Sequence, residues 1–224
     1  MKFTKTDPGF RSTNYGRYRE YTRKDFRRVC AYCFRHEDDG GGVGHYQQDH
    51  FEPQSRPGVD PADYWNLYWS CGDCNGPGCK SDTWPSAQEA RYGFVFCDPC
   101  KCDPFSRDYK KDKSGLLLAL TDSGRFTIEH LRLNKRPYLV EWRRTSRELR
   151  DRYLQELVRL RRVQEHLDVS LDSDEGSVLK LVGQVARLVE KYEAIAYSRP
   201  FAVIPSAVLP QIPDEILRLA LDLN

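Results

Sequence analysis

Residues 45–82 read HYQQDHFEPQSRPGVDPADYWNLYWSCGDCNGPGCKSD, and this stretch decides the fold. It joins an adjacent carboxylate and imidazole, Asp49-His50, to the pair Cys71 and Cys74 through a linker rich in proline, glycine and aspartate. Helical periodicity is nearly absent, so the pattern predicts short strands, turns and one short helix. Because these residue types serve in catalysis and metal binding, the stretch is the candidate functional region.

Two C-x2-C pairs, Cys30-Ala-Tyr-Cys33 and Cys71-Gly-Asp-Cys74, lie about 40 residues apart. The two-residue spacer lets both thiolates of a pair face one tetrahedral ion, and two pairs complete a four-thiolate Zn²⁺ site. A shell of four cysteines leaves no position for water, so this zinc is expected to be structural. The alternatives are unpaired buried thiols or a redox C-x-x-C, which would need a βαβ setting that the sequence lacks.

Four further cysteines lie close behind the second pair: Cys79, Cys97, Cys100 and Cys102. Three of them are crowded into the hexapeptide C-D-P-C-K-C. Their spacing is compatible with a second zinc site, but it favours free cysteines in a loop. The sequence leaves both interpretations open.

Composition indicates a globular protein that is not inserted in a membrane. Hydrophobic residues make up 39% and charged residues 30% of the 224 residues, with a mean hydropathy of -0.70. The longest apolar stretch, Leu116–Leu120, is far shorter than the roughly 20 residues of a membrane span. The N-terminus lacks the apolar run of a secretory signal. Together with eight cysteines that suit metal binding, this favours a cytoplasmic location.

Positive charge is concentrated at the start of the chain. Residues 1–28 carry nine Lys or Arg against three Asp or Glu, whereas the formal net charge of the whole chain is only +2. A basic arm suits a phosphate backbone, and it is also typical of a solvated tail. We therefore expect an arm at 1–28, a cysteine-rich core at 29–112 and a C-terminal region at 113–224.

The C-terminal region changes to helical periodicity. Residues 116–120, followed by TDSGRFTI, predict a β-hairpin that turns at Asp122–Gly124. Apolar residues then recur at helical spacing from Leu139 to Leu167, and again over 178–195 after a polar break at 170–177. This pattern predicts a long helical hairpin.

The cysteine pairs and the segment between them resemble the zinc-containing branch of the HNH endonuclease family. The family pattern runs D-H, P, S, then N-L, then C-x-x-C-N and Lys. Its counterparts in this chain are Asp49-His50, Pro53, Ser55, Asn66-Leu67, Cys71 to Asn75, and Lys80. With Cys30 and Cys33 the likeness covers about 55 residues. It implies an α+β fold with a ββα-metal core on a four-cysteine zinc knuckle.

The resemblance also implies the role of each residue. Asp49-His50 would end the first strand, Asn66 would begin the second, and Asn75 would lie on the short helix. His50 would be the general base, Asp49 and Asn75 would hold a catalytic Mg²⁺ or Mn²⁺, and Asn66 would tie the loop together.

Phosphodiester hydrolysis explains why these residue types occur together. A neutral imidazole can take the proton of the attacking water at cellular pH. A hard cation held by carboxylate and amide oxygens can neutralise the scissile phosphate and the leaving oxygen. Since adjacent strand residues point to opposite faces, Asp49 and His50 can share a site only where the strand ends or twists.

One departure from the family pattern affects the metal ligands. Gly76-Pro77-Gly78 breaks the helix that the family continues at this point, so Asp73 and Asp82 are alternatives to Asn75 as a ligand. Lys80 is a candidate phosphate contact, and equally a solvated lysine.

A looser likeness spans most of the chain. The basic N-terminus, C-A-Y-C, D-H-F-x-P-Q-S, N-L and HLRLNKRPYLVEWRR at 130–144 are similar to the HNH subunits of bacterial anti-phage systems, namely the Septu type and retron-associated nucleases. Such subunits pair with an ATPase. The likeness implies an endonuclease acting on DNA, with double-stranded DNA expected rather than RNA. The helical region would dock the ATPase, or would instead pack on the core and complete it.

Two other functions fit part of the pattern. A non-catalytic zinc-knuckle nucleic-acid-binding or adaptor protein would share the zinc and the basic arm, but it gives Asp49, His50 and Asn66 no role. A specific endonuclease of the homing or restriction kind would need a base-reading element, and the sequence does not reveal one.

Overall fold

The computed structural model describes residues 1–169 and 183–190, which form a mixed α+β structure. The chain divides into two compact units, Met1–Arg144 and Thr145–Asn224. The boundaries expected at 28/29 and 112/113 both fall inside the first unit. The strands are β1 (Tyr46–His50), β2 (Leu67–Cys71), β3 (Tyr109–Lys111) and β4 (Leu117–Ala119). The helices with fully described bounds are α1 (Arg19–Asp25), α2 (Gly72–Asn75), α3 (Ala87–Arg91), α4 (Pro104–Arg107), α5 (Asp122–His130) and α6 (Pro137–Val169).

The first sheet positions the candidate site. Strands β1 and β2 are antiparallel, with Asp49 opposite Tyr68 and His50 opposite Leu67. All five residues of β2 are buried, although its sheet has only two strands within the described residues, and its aromatic and apolar composition suits this burial. Helix α2 follows β2 directly, so the order is strand, long loop, strand and very short helix.

The N-terminal residues belong to this first unit rather than forming a separate arm. Phe3, Tyr18 and Phe26 are buried in its core. The Arg19 guanidinium donates to the Tyr46 carbonyl at 3.0 Å, and Arg23 donates to the buried Glu37 carboxylate. Some of the basic residues of 1–28 thus make hydrogen bonds and ion pairs within the fold.

The hairpin expected at Asp122–Gly124 is wrong, because this segment begins helix α5. The Thr121 side chain caps the helix by accepting a hydrogen bond from the Gly124 amide at 3.0 Å. Gly124 lies against another segment, since a Cβ there would come within 2.1 Å of the Asp108 carbonyl oxygen. Strand β4 pairs instead with the preceding strand β3.

Helix α6 confirms the first long helical pattern of the C-terminal region. Pro137 occupies its first position, where proline costs the helix no hydrogen bond. The predicted break at 170–177 and most of the second helix lie outside the described residues, of which 183–190 are helical. The predicted hairpin therefore stays a prediction. Within the described residues, no helix combines the length and the apolar character of a membrane span.

Candidate metal centre and catalytic cleft

The two cysteine pairs meet in one buried cluster. The sulfur atoms of Cys30, Cys33, Cys71 and Cys74 all lie within 4.8 Å of one another. Cys33 Sγ and Cys71 Sγ are 3.8 Å apart. A tetrahedron with Zn–S bonds of about 2.3 Å requires sulfur separations of about 3.8 Å, so the donor set fits Zn²⁺.

Local structure brings each pair to the cluster. The first pair lies in a tight turn closed by a bridge between Val29 and His36, and the Ala31 amide donates to the Trp69 carbonyl of β2 at 2.8 Å. In the second pair, Cys71 is the last residue of β2 and Cys74 lies on α2. The cluster thus joins the turn, the sheet and the short helix.

The structure does not assemble the second zinc site that Cys79, Cys97, Cys100 and Cys102 could have formed. Cys79 Sγ contacts the Leu131 carbonyl oxygen at 3.6 Å, whereas Cys102 Sγ contacts the Asp98 carbonyl and the Asp108 carboxylate, each at 3.6 Å. Within the described residues, only Cys30, Cys33, Cys71 and Cys74 form a group of three or more Cys, His, Asp or Glu ligand atoms that lie within 4.8 Å of one another. Sequence proximity was misleading because a short irregular loop directs its side chains to different neighbours.

A cleft of about 290 Å³ lies at the end of β1. Asp49, His50 and Asn75 line it together, and so does Asp82, one of the two alternative ligands. The other alternative, Asp73, is exposed and is not among the residues that line this cleft. The structure therefore brings the predicted base and the predicted oxygen ligands to one place.

The His50 ring is oriented by the loop that follows it. Its Nε2 atom lies 2.8 Å from the Pro61 carbonyl oxygen. A carbonyl oxygen can only accept, so Nε2 carries the proton and Nδ1 is the unprotonated nitrogen of the neutral ring. Among the described residues, Nδ1 has no hydrogen-bond partner, and the Tyr15 ring contacts the imidazole edge-on with a centroid distance of 5.1 Å. This tautomer is the one that can accept a proton at Nδ1.

Asp49 is buried and held by a tyrosine. Tyr32, which lies inside the first cysteine pair, donates from its hydroxyl to Asp49 Oδ2. Burial raises the pKa of Asp49 to about 6, while the positive charge of Lys80 and the Tyr32 hydrogen bond act in the opposite direction. A cation in the cleft would offset this cost of burial, and the carboxylate and amide oxygens of Asp49, Asn75 and Asp82 suit Mg²⁺ or Mn²⁺.

Asn66 closes the loop between the two strands. Its Oδ1 accepts from the Glu52 amide and its Nδ2 donates to the Glu52 carbonyl, both at 2.8 Å. One side chain thereby joins the two ends of a loop that also carries Pro61, the partner of His50.

Lys80 is not a phosphate contact, which corrects the expectation from the sequence. Its side chain is fully buried, and its ammonium group donates to the His50 carbonyl at 3.4 Å. It also lies over the rings of Trp84 and Phe96, 5.6 and 5.4 Å from their centroids. The lysine supports the end of β1 from within the fold and cannot reach a ligand in solvent.

Sequence reasoning missed two groups that orient the site, the Tyr32 hydroxyl and the Pro61 carbonyl. Tyr32 lies within C-A-Y-C, and the two cysteines alone accounted for this motif as half of a zinc site, so the tyrosine gave no separate signal. Pro61 acts through its backbone, and a backbone carbonyl leaves no signature in residue type.

No protein-family model matches the chain, and no curated protein and no solved structure is significantly similar to it.

Proposed function

We propose that this protein is a metal-dependent endonuclease of the HNH type that hydrolyses phosphodiester bonds in DNA. The observation that carries the proposal is the cleft in which His50, with Nδ1 open to accept a proton, faces the same space as Asp49 and Asn75. The four-cysteine cluster supports it, because it joins the segments that carry these residues.

The proposed chemistry uses each side chain in one role. His50 accepts a proton from water at Nδ1, and the Pro61 carbonyl stabilises the resulting imidazolium through Nε2. Asp49 and Asn75 would hold Mg²⁺ or Mn²⁺, which supplies charge neutralisation at the scissile phosphate when bound. Tyr32 orients the Asp49 carboxylate, and burial and that carboxylate raise the pKa of Tyr32 well above its usual value, so it remains a donor.

We further propose that the enzyme is the effector of an anti-phage complex and is controlled by an ATPase partner. Support comes from the likeness of residues 130–144 to Septu-type and retron-associated subunits. A nuclease with little sequence specificity also needs control. The alternative, a zinc-knuckle adaptor without catalysis, leaves the orientation of His50 and the buried Asp49 without a purpose.

The test is cleavage of supercoiled plasmid DNA with Mg²⁺ or Mn²⁺ by the wild type and by His50→Ala. Removing a general base should lower the cleavage rate about 10²–10⁴-fold. His45→Ala is the matched control, since His45 is exposed, immediately precedes β1 and does not line the cleft. Zinc content should equal that of the wild type in both variants.

Three outcomes separate the alternatives. Cleavage lost in His50→Ala and kept in His45→Ala supports the nuclease. Cleavage that survives in His50→Ala moves the active site elsewhere. If the wild type binds DNA with its natural partner present but cuts neither DNA nor RNA, the adaptor function replaces the proposal.

A further inference from the structure

Arg136 contacts the cluster itself. Its Nη2 atom donates to Cys74 Sγ at 3.2 Å, and its Nε atom is buried without a hydrogen-bond partner. None of the ion pairs found among the described residues joins Arg136 to a carboxylate. The sulfur of Cys74 is therefore an acceptor in direct contact with this guanidinium, and the Tyr138 side chain is a second polar neighbour.

The Arg136 guanidinium needs negative charge nearby, because its Nε atom is buried without a hydrogen-bond partner. An unpaired buried cation is unfavourable, and arginine does not lose its proton to avoid that cost. The sulfur of Cys74, 3.2 Å from Arg136 Nη2, supplies this negative charge when it is a thiolate.

Charge counting agrees with this pairing. Four neutral thiols would leave the Arg136 cation uncompensated. Four thiolates around one Zn²⁺ leave two negative charges in excess, and the Arg136 guanidinium neutralises one of them.

We propose that Arg136 is a built-in counter-cation of a zinc tetrathiolate and a positioning residue that holds α2 through Cys74. Arg136 immediately precedes α6, and Cys74 immediately precedes Asn75 at the edge of the cleft. The hydrogen bond from Arg136 thus ties the start of α6 to the helix that presents Asn75. This proposal concerns the metal centre and does not rest on the nuclease activity.

The experiment measures zinc affinity of the full chain by competition with a chromogenic chelator. Removing a residue that supports a metal ligand typically lowers metal affinity 10–100-fold, and we expect a loss of about that size for Arg136→Gln. The matched control is Lys135→Gln, which removes the same charge from an exposed neighbour that makes no side-chain hydrogen bond within the described residues. Arg136→Lys keeps the positive charge but lacks the planar guanidinium group, so it should give an intermediate loss of zinc affinity.

A spectroscopic readout separates this role from general destabilisation. In Co²⁺-substituted protein, the sulfur-to-metal charge-transfer band should shift in Arg136→Gln and not in Lys135→Gln, because only Arg136 donates to a ligand sulfur. If Arg136→Gln fails to fold, the same measurements on Arg136→Lys decide. Equal affinities within twofold and identical spectra for the folded Arg136 variant and Lys135→Gln overturn the proposal, as does a wild type that binds no zinc.

Discussion

Asn66 gives the sharpest test of how the loop orients the site. Asn66→Ala removes two hydrogen bonds of 2.8 Å to the Glu52 backbone. Each is worth about 0.5–1.5 kcal/mol, so we expect the free energy of unfolding to fall by about 1–3 kcal/mol. Asn66→Asp keeps the acceptor for the Glu52 amide but places a carboxylate oxygen against the Glu52 carbonyl, so it should be at least as destabilising. Urea unfolding of the zinc-loaded protein measures both values.

The same substitution should also impair catalysis under the proposed mechanism, because the loop carries the Pro61 carbonyl that orients His50. Misplacing a catalytic group by about 1 Å costs up to about 10²-fold in rate, so we expect Asn66→Ala to cleave plasmid 10–100-fold more slowly when fully folded.

Asn134 provides a matched control within the chain. Its side chain makes the same pair of hydrogen bonds, with the Leu117 amide at 2.9 Å and the Leu117 carbonyl at 2.8 Å. Leu117 belongs to β4, which pairs with β3. Asn134→Ala should therefore lower stability by a similar amount or slightly more, since its oxygen also accepts from Arg143. Cleavage by the folded Asn134→Ala variant should be unchanged. Equal activity losses in Asn66→Ala and Asn134→Ala would refute the reasoning, and so would an unchanged stability of Asn66→Ala.

Two further predictions concern stability. Gly124→Ala places a Cβ 2.1 Å from the Asp108 carbonyl oxygen, and overpacking of this kind should cost about 1–3 kcal/mol or more in urea unfolding. Gly44→Ala, which meets no atom within 4 Å, should change stability by less than about 0.5 kcal/mol, and equal effects of the two would contradict the packing argument. Burial lowers the pKa of Lys5, which donates to the Leu67 carbonyl, from 10.5 to about 8. Between these values the unfolded state binds more protons than the folded state does, so stability rises with pH. The free energy of unfolding of the wild type, relative to that of Lys5→Met, should rise by about 2–3 kcal/mol from pH 8 to 10.5 and stay constant below pH 8. A difference that does not change with pH would show that Lys5 keeps an ordinary pKa.

Local sequence patterns predicted much of the architecture. A two-residue spacer between cysteines is a constraint on nearby atoms, and the sulfur cluster of Cys30, Cys33, Cys71 and Cys74 forms as predicted. The long helix from Pro137 follows from apolar spacing, whereas the mixed α+β class was implied by the resemblance to the HNH family. Each of these features depends on residues that are close in sequence or on one dominant interaction.

Expectations failed where a distant segment decides the outcome. Lys80 carries the residue type of a phosphate contact, but packing against Trp84 and Phe96 buries it. Gly124 lies in a sequence that is typical of a turn. In the structure it is part of α5, and the absence of a side chain lets the helix approach the Asp108 backbone. Neither contact can be identified from residue spacing, because each forms only when the intervening chain folds back and separate segments pack together.

By itself, the sequence determined which residues can hold a metal ion and which can act as a base, because ligand type and imidazole chemistry belong to the side chain. Only the tertiary structure decided how those groups are arranged. It gives His50 its tautomer through the Pro61 carbonyl, supplies Asp49 with the Tyr32 hydroxyl, and sets Arg136 against Cys74. The reason is physical: hydrogen bonding and burial depend on positions in space, and a protonation state follows from them.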